Sequence, residues 1–361
     1  DLAGWAELDE VMPAMSALAE ACIKAAVDWL MTDAATAGLP HHEDGSAMPL
    51  VIIAMGKLGG DELNFSSDVD LIFTYPDEGE IQGKRTLSHH EFFTRLGKRL
   101  INILNDVTAD GFVFRVDMRL RPNGKSGALA LSFDAMEHYY QTHGREWERY
   151  AWIKARPLND AEGAGDRLLH QLRPFVYRRY IDFGAVESIR EMKALIAQEL
   201  KHKGVENNIK LGAGGIREIE FIGQALQLIR GGRDSHLQER SILSVLPLLA
   251  QRQQLTQRAV DELVLAYHFL RRVENRLQMV ADQQTHLLPQ DTTECLRLAF
   301  AMDFEDWSLF EHTLRDHMRK VHGHFQQVFV APQGEAAADD TNEMTTLWTG
   351  SLAGDAARVA L

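Results

Sequence analysis

Asp68 and Asp70 stand one residue apart at the mouth of an apolar run, Val69, Leu71, Ile72 and Phe73. A run of that composition is a strand, and in a strand residues i and i+2 point to the same face. The two carboxylates therefore lie side by side. Like charges that close repel one another unless a cation sits between them. Hard oxygen donors at this spacing suit Mg²⁺ or Mn²⁺. Residues 50–54 form a second apolar strand upstream. Between the two strands lie Gly59, Gly60, Ser66 and Ser67, which offer backbone N–H groups and hydroxyls to a phosphate. A metal and a phosphate held between two buried strands point to nucleotidyl transfer.

The alternation of residues 111–121 predicts a third strand. Phe112, Phe114, Val116, Met118 and Leu120 fall on one face, and Val113, Arg115, Asp117, Arg119 and Arg121 on the other. The first face asks for a core. The second sets Asp117 among guanidiniums, a pattern that serves either a solvated surface or an anionic ligand, since Arg grips phosphate through a planar fork. Pro122 ends the run.

Composition narrows the class. The chain has 361 residues and a net charge of −14, which argues against a general nucleic-acid binder, because such proteins need a basic footprint. No apolar run approaches the ~18 residues of a membrane span. Cys22 and Cys295 are far apart, so no disulfide framework is expected and a reducing compartment fits. The chain starts at Asp1 with neither Met nor a signal-peptide pattern. It reads as a piece of a larger cytoplasmic protein.

Helical periodicity covers residues 5–31, and the small, polar stretch 32–48 reads as a loop or linker. Ser88 and Glu91 form a capping box ahead of a helical stripe from Phe92 to Leu104, with His89 and His90 as exposed first-turn residues. Residues 132–156 read as an aromatic helix covering the sheet. Beyond residue 160 the pattern is helical throughout: 168–180, 185–201, 216–229, 241–251, 256–283 and 306–330. Residues 331–340 form an acidic linker, and the last stretch resembles the start of another helix. The expected segments are thus 1–48, a catalytic core 49–157, a bundle 158–330 and a tail 331–361.

One bundle segment is unusual. Gly212, Gly214 and Gly215 precede a helix start, whose free N–H groups could meet an anion. Glu218 falls on the apolar arc of that helix, while Glu220 joins Arg217, Gln224 and Gln227 in a polar stripe. A carboxylate on an apolar arc needs a partner, a metal or a raised pKa. A partnering Arg from elsewhere in the bundle would serve equally.

The glycine turn, the serine pair, Asp68, Asp70 and the later Asp117 together make the pattern of the polymerase β-like nucleotidyltransferase superfamily. No P-loop or Rossmann glycine fingerprint is present. Three longer stretches closely resemble bifunctional glutamine synthetase adenylyltransferase/adenylyl-removing enzymes: residues 56–73, residues 116–122 and residues 214–221. The similarity runs from about Pro49 to Val330. That family carries two related nucleotidyltransferase halves, one removing AMP from a glutamine synthetase tyrosine by phosphorolysis and one attaching AMP from ATP. Asn64-Phe65, Met118 and Arg217-Glu218 side with the adenylyl-removing half.

The resemblance implies an α+β nucleotidyltransferase core with a mostly helical C-terminal bundle and a site in the cleft between them. It implies Asp68, Asp70 and Asp117 as ligands of two Mg²⁺ or Mn²⁺ ions. Gly59, Gly60, Ser66 and Ser67 would cradle the adenylyl phosphate, and Arg119 and Arg121 would hold orthophosphate. Glu218 or Glu220 would complete the metal site, with Lys57 assisting or merely exposed. Expected partners are adenylylated glutamine synthetase and a PII-type signalling protein, with neither nucleic acid nor membrane. Attachment of AMP, and a catalytically idle module that senses a regulatory protein, are the alternatives.

Overall fold

The computed structural model describes residues 4–35, 38–81, 86–159, 163–179, 189, 191–194, 198 and 207–327. The chain divides into two compact units, Asp9–Val176 and a second built chiefly from Tyr177 onward. A mixed sheet in the first and helices in the second give an α+β nucleotidyltransferase-type fold.

In the first unit, α1 (Leu8–Ala35) leads to β1 (Val51–Ala54), a short helical turn α2 (Gly56–Gly59) and β2 (Val69–Tyr75). β1 and β2 are antiparallel, with Ala54 opposite Leu71. β1 is buried at every position, which is why its sequence is continuously apolar rather than alternating. β3 (Glu80–Ile81) and β4 (Leu87–Ser88) form a small antiparallel ladder where the sequence suggested only a loop. α3 (His89–Asn105) follows, capped by the Ser88 hydroxyl, which accepts from the Glu91 N–H as expected. His89, expected to be exposed, is buried, and its Nδ1 lies 2.9 Å from the Asp77 carbonyl.

β5 (Val116–Asp117) and β6 (Ala130–Ser132) both run parallel to β2, beside its start and its end respectively. β7 (Arg156–Pro157) pairs with β1. The segment between β6 and β7 holds two helices, α4 (Phe133–Thr142) and α5 (Glu146–Trp152), rather than one. The break falls at Gly144, where a Cβ would stand 2.4 Å from the Phe175 ring and 2.5 Å from the Tyr140 carbonyl. α6 (Ala164–Val176) completes the unit. Ala19, Ile23, Val27 and Leu30 of α1 share one core with Leu50, Ile52, Leu71, Phe73, Phe93 and Leu100. The N-terminal helix and the sheet are therefore one body.

The long third strand expected over residues 111–121 shrinks to Val116–Asp117. The cause is local. The Asp117 carboxylate accepts from the backbone N–H of Arg119 at 2.7 Å, which curls the chain off the sheet. Upstream, the Val113 and Phe114 N–H groups donate to the Leu104 carbonyl of α3 rather than to a strand, and Phe112 and Val113 are exposed.

The second unit contains α7 (Ile216–Arg230), α8 (Ile242–Gln251), α9 (Gln257–Gln278), α10 (Thr292–Ala301) and α11 (Trp307–Gln327). Four of them lie where periodicity placed them. α10 was not foreseen; its Asp291 cap accepts from the Thr293 and Glu294 N–H groups. Most of the helix expected at 185–201, and the linker and helix expected beyond 331, lie outside the described residues. No helix among the described residues is long and apolar enough to cross a membrane.

Candidate active site

The turn after β1 fits closely around Asp70. The Met55 N–H donates to the Asp70 carbonyl at 2.9 Å. Gly56 has φ +54°, and a Cβ there would stand 2.6 Å from Asp70 Oδ2. Only glycine gives this backbone both its left-handed turn and room for the carboxylate. On the other side of β2, Asp70 is in direct register with Asp117 of β5. Two carboxylates thus become cross-strand neighbours, with Asp68 at the foot of the same strand.

Asp117 is nearly covered and fully engaged. Its Oδ1 accepts the Arg119 N–H and its Oδ2 accepts from Arg119 Nε at 2.6 Å. Burial pushes its pKa up, but the hydrogen bonds and charge of Arg119, with Lys125 beyond, outweigh this and hold the carboxyl below its ordinary value. Arg119 is two-thirds exposed. Its own pKa is raised, first by the bond to Asp117 and then by the charges of Asp117, Asp68 and Asp70. The guanidinium therefore lies in the field of all three carboxylates.

The other arginines of this segment are braces. Arg121 donates to the carbonyls of Met118 at 2.7 Å, Lys125 at 3.2 Å and Gly127 at 3.3 Å. It fixes the turn that follows β5, and burial lowers its pKa. Arg115 donates to the carbonyl and hydroxyl of buried Ser66, and its guanidinium lies over the Phe112 ring. Buried Asn64 ties the loop further, its Oδ1 accepting from Lys57 Nζ at 2.6 Å and from the Ser67 hydroxyl at 3.3 Å. Lys57 is therefore half-buried and bonded rather than merely exposed. Below them Glu62 and Lys154 make a buried ion pair at 2.7 Å.

Gly59 and Gly60 have a different setting from the one expected. Their N–H groups donate to Met55 and Gly56 within the α2 turn. A Cβ on Gly59 would stand 1.9 Å from the Lys154 carbonyl. Gly59 is small so that the backbone after α5 can pass.

In the second unit, the helix start behind the glycines does not offer N–H groups to an anion. Those of Ile216, Arg217 and Glu218 donate to the carbonyls of Ile209, Lys210 and Gly215. Glu218 is buried, as its arc predicted, and its partners are the Gly214 N–H at 2.9 Å and His322 Nδ1 at 3.1 Å rather than an arginine. Burial raises its pKa, with His322, the Gly214 bond and Lys193 opposing. Glu220 is half-buried. Its stripe is not a solvated one: Gln227 is buried and donates to the carbonyls of Leu237 and Glu239.

The raised pKa of Glu218 makes a pH prediction. The folded state holds this proton more tightly than the unfolded chain. Its stabilising contribution is full below the ordinary Glu value and is lost as pH rises through the raised native pKa. Glu218→Gln keeps the acceptor for Gly214 and cannot ionise. Urea midpoints between pH 4 and 7 are expected to fall less steeply with rising pH in this variant than in the parent chain.

The donor set of Asp68, Asp70 and Asp117 is chemically suited to a hard divalent cation. Among the described residues, however, no group of three His, Cys, Asp or Glu side chains stands gathered to hold a metal. Asp117 is drawn onto Arg119 instead. The arginine occupies the carboxylate that a cation would share.

The family model described as Glutamate-ammonia ligase adenylyltransferase matches residues 1–171, and that described as GlnD PII-uridylyltransferase matches residues 190–329. The bifunctional glutamine synthetase adenylyltransferase/adenylyl-removing enzyme of Nitrosococcus oceani is 55% identical, over 97% of this chain and 37% of that protein. Its counterpart in Thioalkalivibrio sulfidiphilus is 51% identical over 100% of this chain and 38% of that protein. The Pseudomonas aeruginosa protein is 50% identical over 98% and 37%. The chain thus spans well under half the length of these relatives. With matches along nearly all its residues, it belongs to the nucleotidyltransferase family of the bifunctional glutamine synthetase adenylyltransferase/adenylyl-removing enzymes.

Proposed function

We propose that this chain removes AMP from the adenylylated tyrosine of glutamine synthetase by metal-dependent phosphorolysis. An orthophosphate oxygen bonds to the adenylyl phosphorus, the bond from phosphorus to the tyrosyl oxygen breaks, and that oxygen takes up the proton that the attacking hydrogen phosphate gives up. The products are ADP and unmodified glutamine synthetase. The observation that supports this best is the register of Asp70 with Asp117 beneath a guanidinium that also feels Asp68. Phosphorolysis must bring one anion up to another, so it needs carboxylates for cations and a separate cation for the incoming phosphate.

Asp68, Asp70 and Asp117 would hold two Mg²⁺ or Mn²⁺ ions, which supply charge neutralisation and stabilise the leaving oxygen. Arg119 would turn from Asp117 to the orthophosphate, a short swing for an exposed side chain. Arg121, bonded to three carbonyls, would keep the turn in place rather than bind phosphate itself. The adenylyl phosphate falls to Ser67, since Gly59 and Gly60 spend their N–H groups inside α2 and buried Ser66 is held by Arg115. Glu218, engaged by Gly214 and His322, braces the glycine turn of its own unit. The setting is cytoplasmic, with a PII-type protein as regulator.

Attachment of AMP from ATP is the second reading, favoured by the description of the family model over residues 1–171. Adenylylated glutamine synthetase, Mg²⁺ and either phosphate or ATP separate the two. ADP release that requires phosphate supports removal; AMP incorporation that requires ATP overturns it. An idle sensing module would show neither.

Arg119→Ala is expected to raise the KM for phosphate about tenfold or more, the scale of one lost charge-assisted contact. Steady-state phosphate titrations check this. Equal phosphate KM values in variant and parent would remove Arg119 from the phosphate site.

A further inference from the structure

Phe65 is 47% exposed, whereas Glu62, Leu63, Asn64 and Ser66 around it are each 2% or less. A loose loop does not explain this. The Ser67 N–H donates to the Asn64 carbonyl, which makes Phe65 and Ser66 the corner residues of a tight turn. That turn is fastened from several sides. Lys57 and the Ser67 hydroxyl bond Asn64, Arg115 bonds Ser66, and the Leu63 N–H donates to the Ser16 hydroxyl of α1 at 3.1 Å. Two other exposed aromatics of the unit, Phe112 and Trp29, are covered by cations. A guanidinium lies 5.0 Å from the Phe112 ring centre and another 5.7 Å from that of Trp29. Among the described residues the Phe65 ring has neither an aromatic nor a cationic partner.

Position decides what such a ring can meet. Three residues span at most about 10 Å, so Phe65 stands within a nucleotide's length of Asp68. Each nucleobase has a π-face that stacks on an aromatic side chain, with little regard to its hydrogen-bonding edge. A protein-docking surface would instead need a contiguous apolar patch, and the immediate neighbours of Phe65 are buried or polar.

We propose that Phe65 is the stacking platform for the purine base of the adenylyl group, a substrate contact that sets the base while the carboxylates address the phosphorus. It rests on the nucleotidyl-transfer reading of the site, but not on the direction of transfer.

The test is equilibrium binding of ADP, and of inorganic pyrophosphate as a probe without a base, to the chain with Mn²⁺ present. Phe65→Ala is expected to weaken ADP about 10- to 100-fold, the range for one lost base–aromatic stack, and to leave pyrophosphate unchanged. Phe65→Tyr should retain ADP affinity. Phe65→Trp should retain it too, with its indole emission quenched on binding. Equal loss of ADP and pyrophosphate, unchanged ADP affinity in Phe65→Ala, or no ADP binding by the parent chain would each overturn the proposal. Weakened binding of glutamine synthetase with ADP affinity intact would also overturn it, and would assign the ring to a protein contact. ATP-driven attachment of AMP in the turnover assay would sink phosphorolysis and leave a positive binding result standing. Unchanged ADP affinity with phosphorolysis intact would sink the stacking alone.

Discussion

Asp68→Asn is expected to lower phosphate-dependent release of ADP from adenylylated glutamine synthetase by about 10³-fold or more, with little change in stability. The substitution is nearly isosteric. It removes one negative charge from a site whose proposed chemistry is the neutralisation of charge at phosphorus, where loss of a single electrostatic contact commonly costs 10²–10³ in rate. Asp68 is only half-buried, so its loss strands no partner in the core. Asp70→Asn and Asp117→Asn should match it in rate, but Asp117→Asn differs in a second respect. It also frees Arg119, whose guanidinium is held chiefly by that carboxylate. A chain with Asp68→Asn that still releases ADP at the parent rate would refute the carboxylate site. Normal melting with abolished turnover is the pattern that distinguishes a chemical role from a folding one.

That Asp70 and Asp117 belong to strands was legible because both sit in runs with clear β patterning; their pairing in register was not, since no local pattern says which strand β5 joins. Nor was the extent of β5. Alternation over residues 111–121 takes no account of a carboxylate that captures the N–H two residues on, and Asp117 does this to Arg119. For the same reason the equivalence of the arginines was misleading. Arg121 finds carbonyls only because the turn through 123–127 folds back on it.

Glu218 shows the complementary case. Its burial followed from the helical wheel, but its partner did not. His322 lies more than a hundred positions downstream on another helix, and no local pattern pairs them. The helix start behind the glycines is closed to an anion because the carbonyls of Ile209 and Lys210 reach its N–H groups, a contact no local pattern announces. The first of these carbonyls belongs to a segment held in turn by residues 286–288, through the Ile209 and Leu288 N–H groups. Glycines allow that turn rather than open it to a ligand. A Cβ on Gly214, at φ +77°, would stand 1.7 Å from the Met318 carbonyl.

The second large effect is expected at Lys154. Its Nζ lies 2.7 Å from Glu62 Oε2, with the side chains 7% and 1% exposed. Lys154→Met is expected to destabilise the chain by about 3–5 kcal/mol, because it leaves a buried carboxylate without its counter-ion. The effect should not be read as the worth of the ion pair. Taking both charges out of water is itself costly, and a well-packed apolar pair of similar volume often does as well. Glu62→Leu with Lys154→Met should therefore recover most of the lost stability, and urea unfolding of both single variants and the double variant measures the coupling. The consequence for activity is separate. Glu62 opens the segment that runs through Asn64 and Ser66 to Asp68, and the Lys154 carbonyl passes against Gly59. If the pair fixes that loop, the double variant should recover stability more fully than turnover, since an apolar pair restores packing without the directional bond. If turnover returns in proportion to stability, the Glu62–Lys154 pair is dispensable for placing the carboxylates, and the bonds of Asn64 and Arg115 suffice to hold the turn.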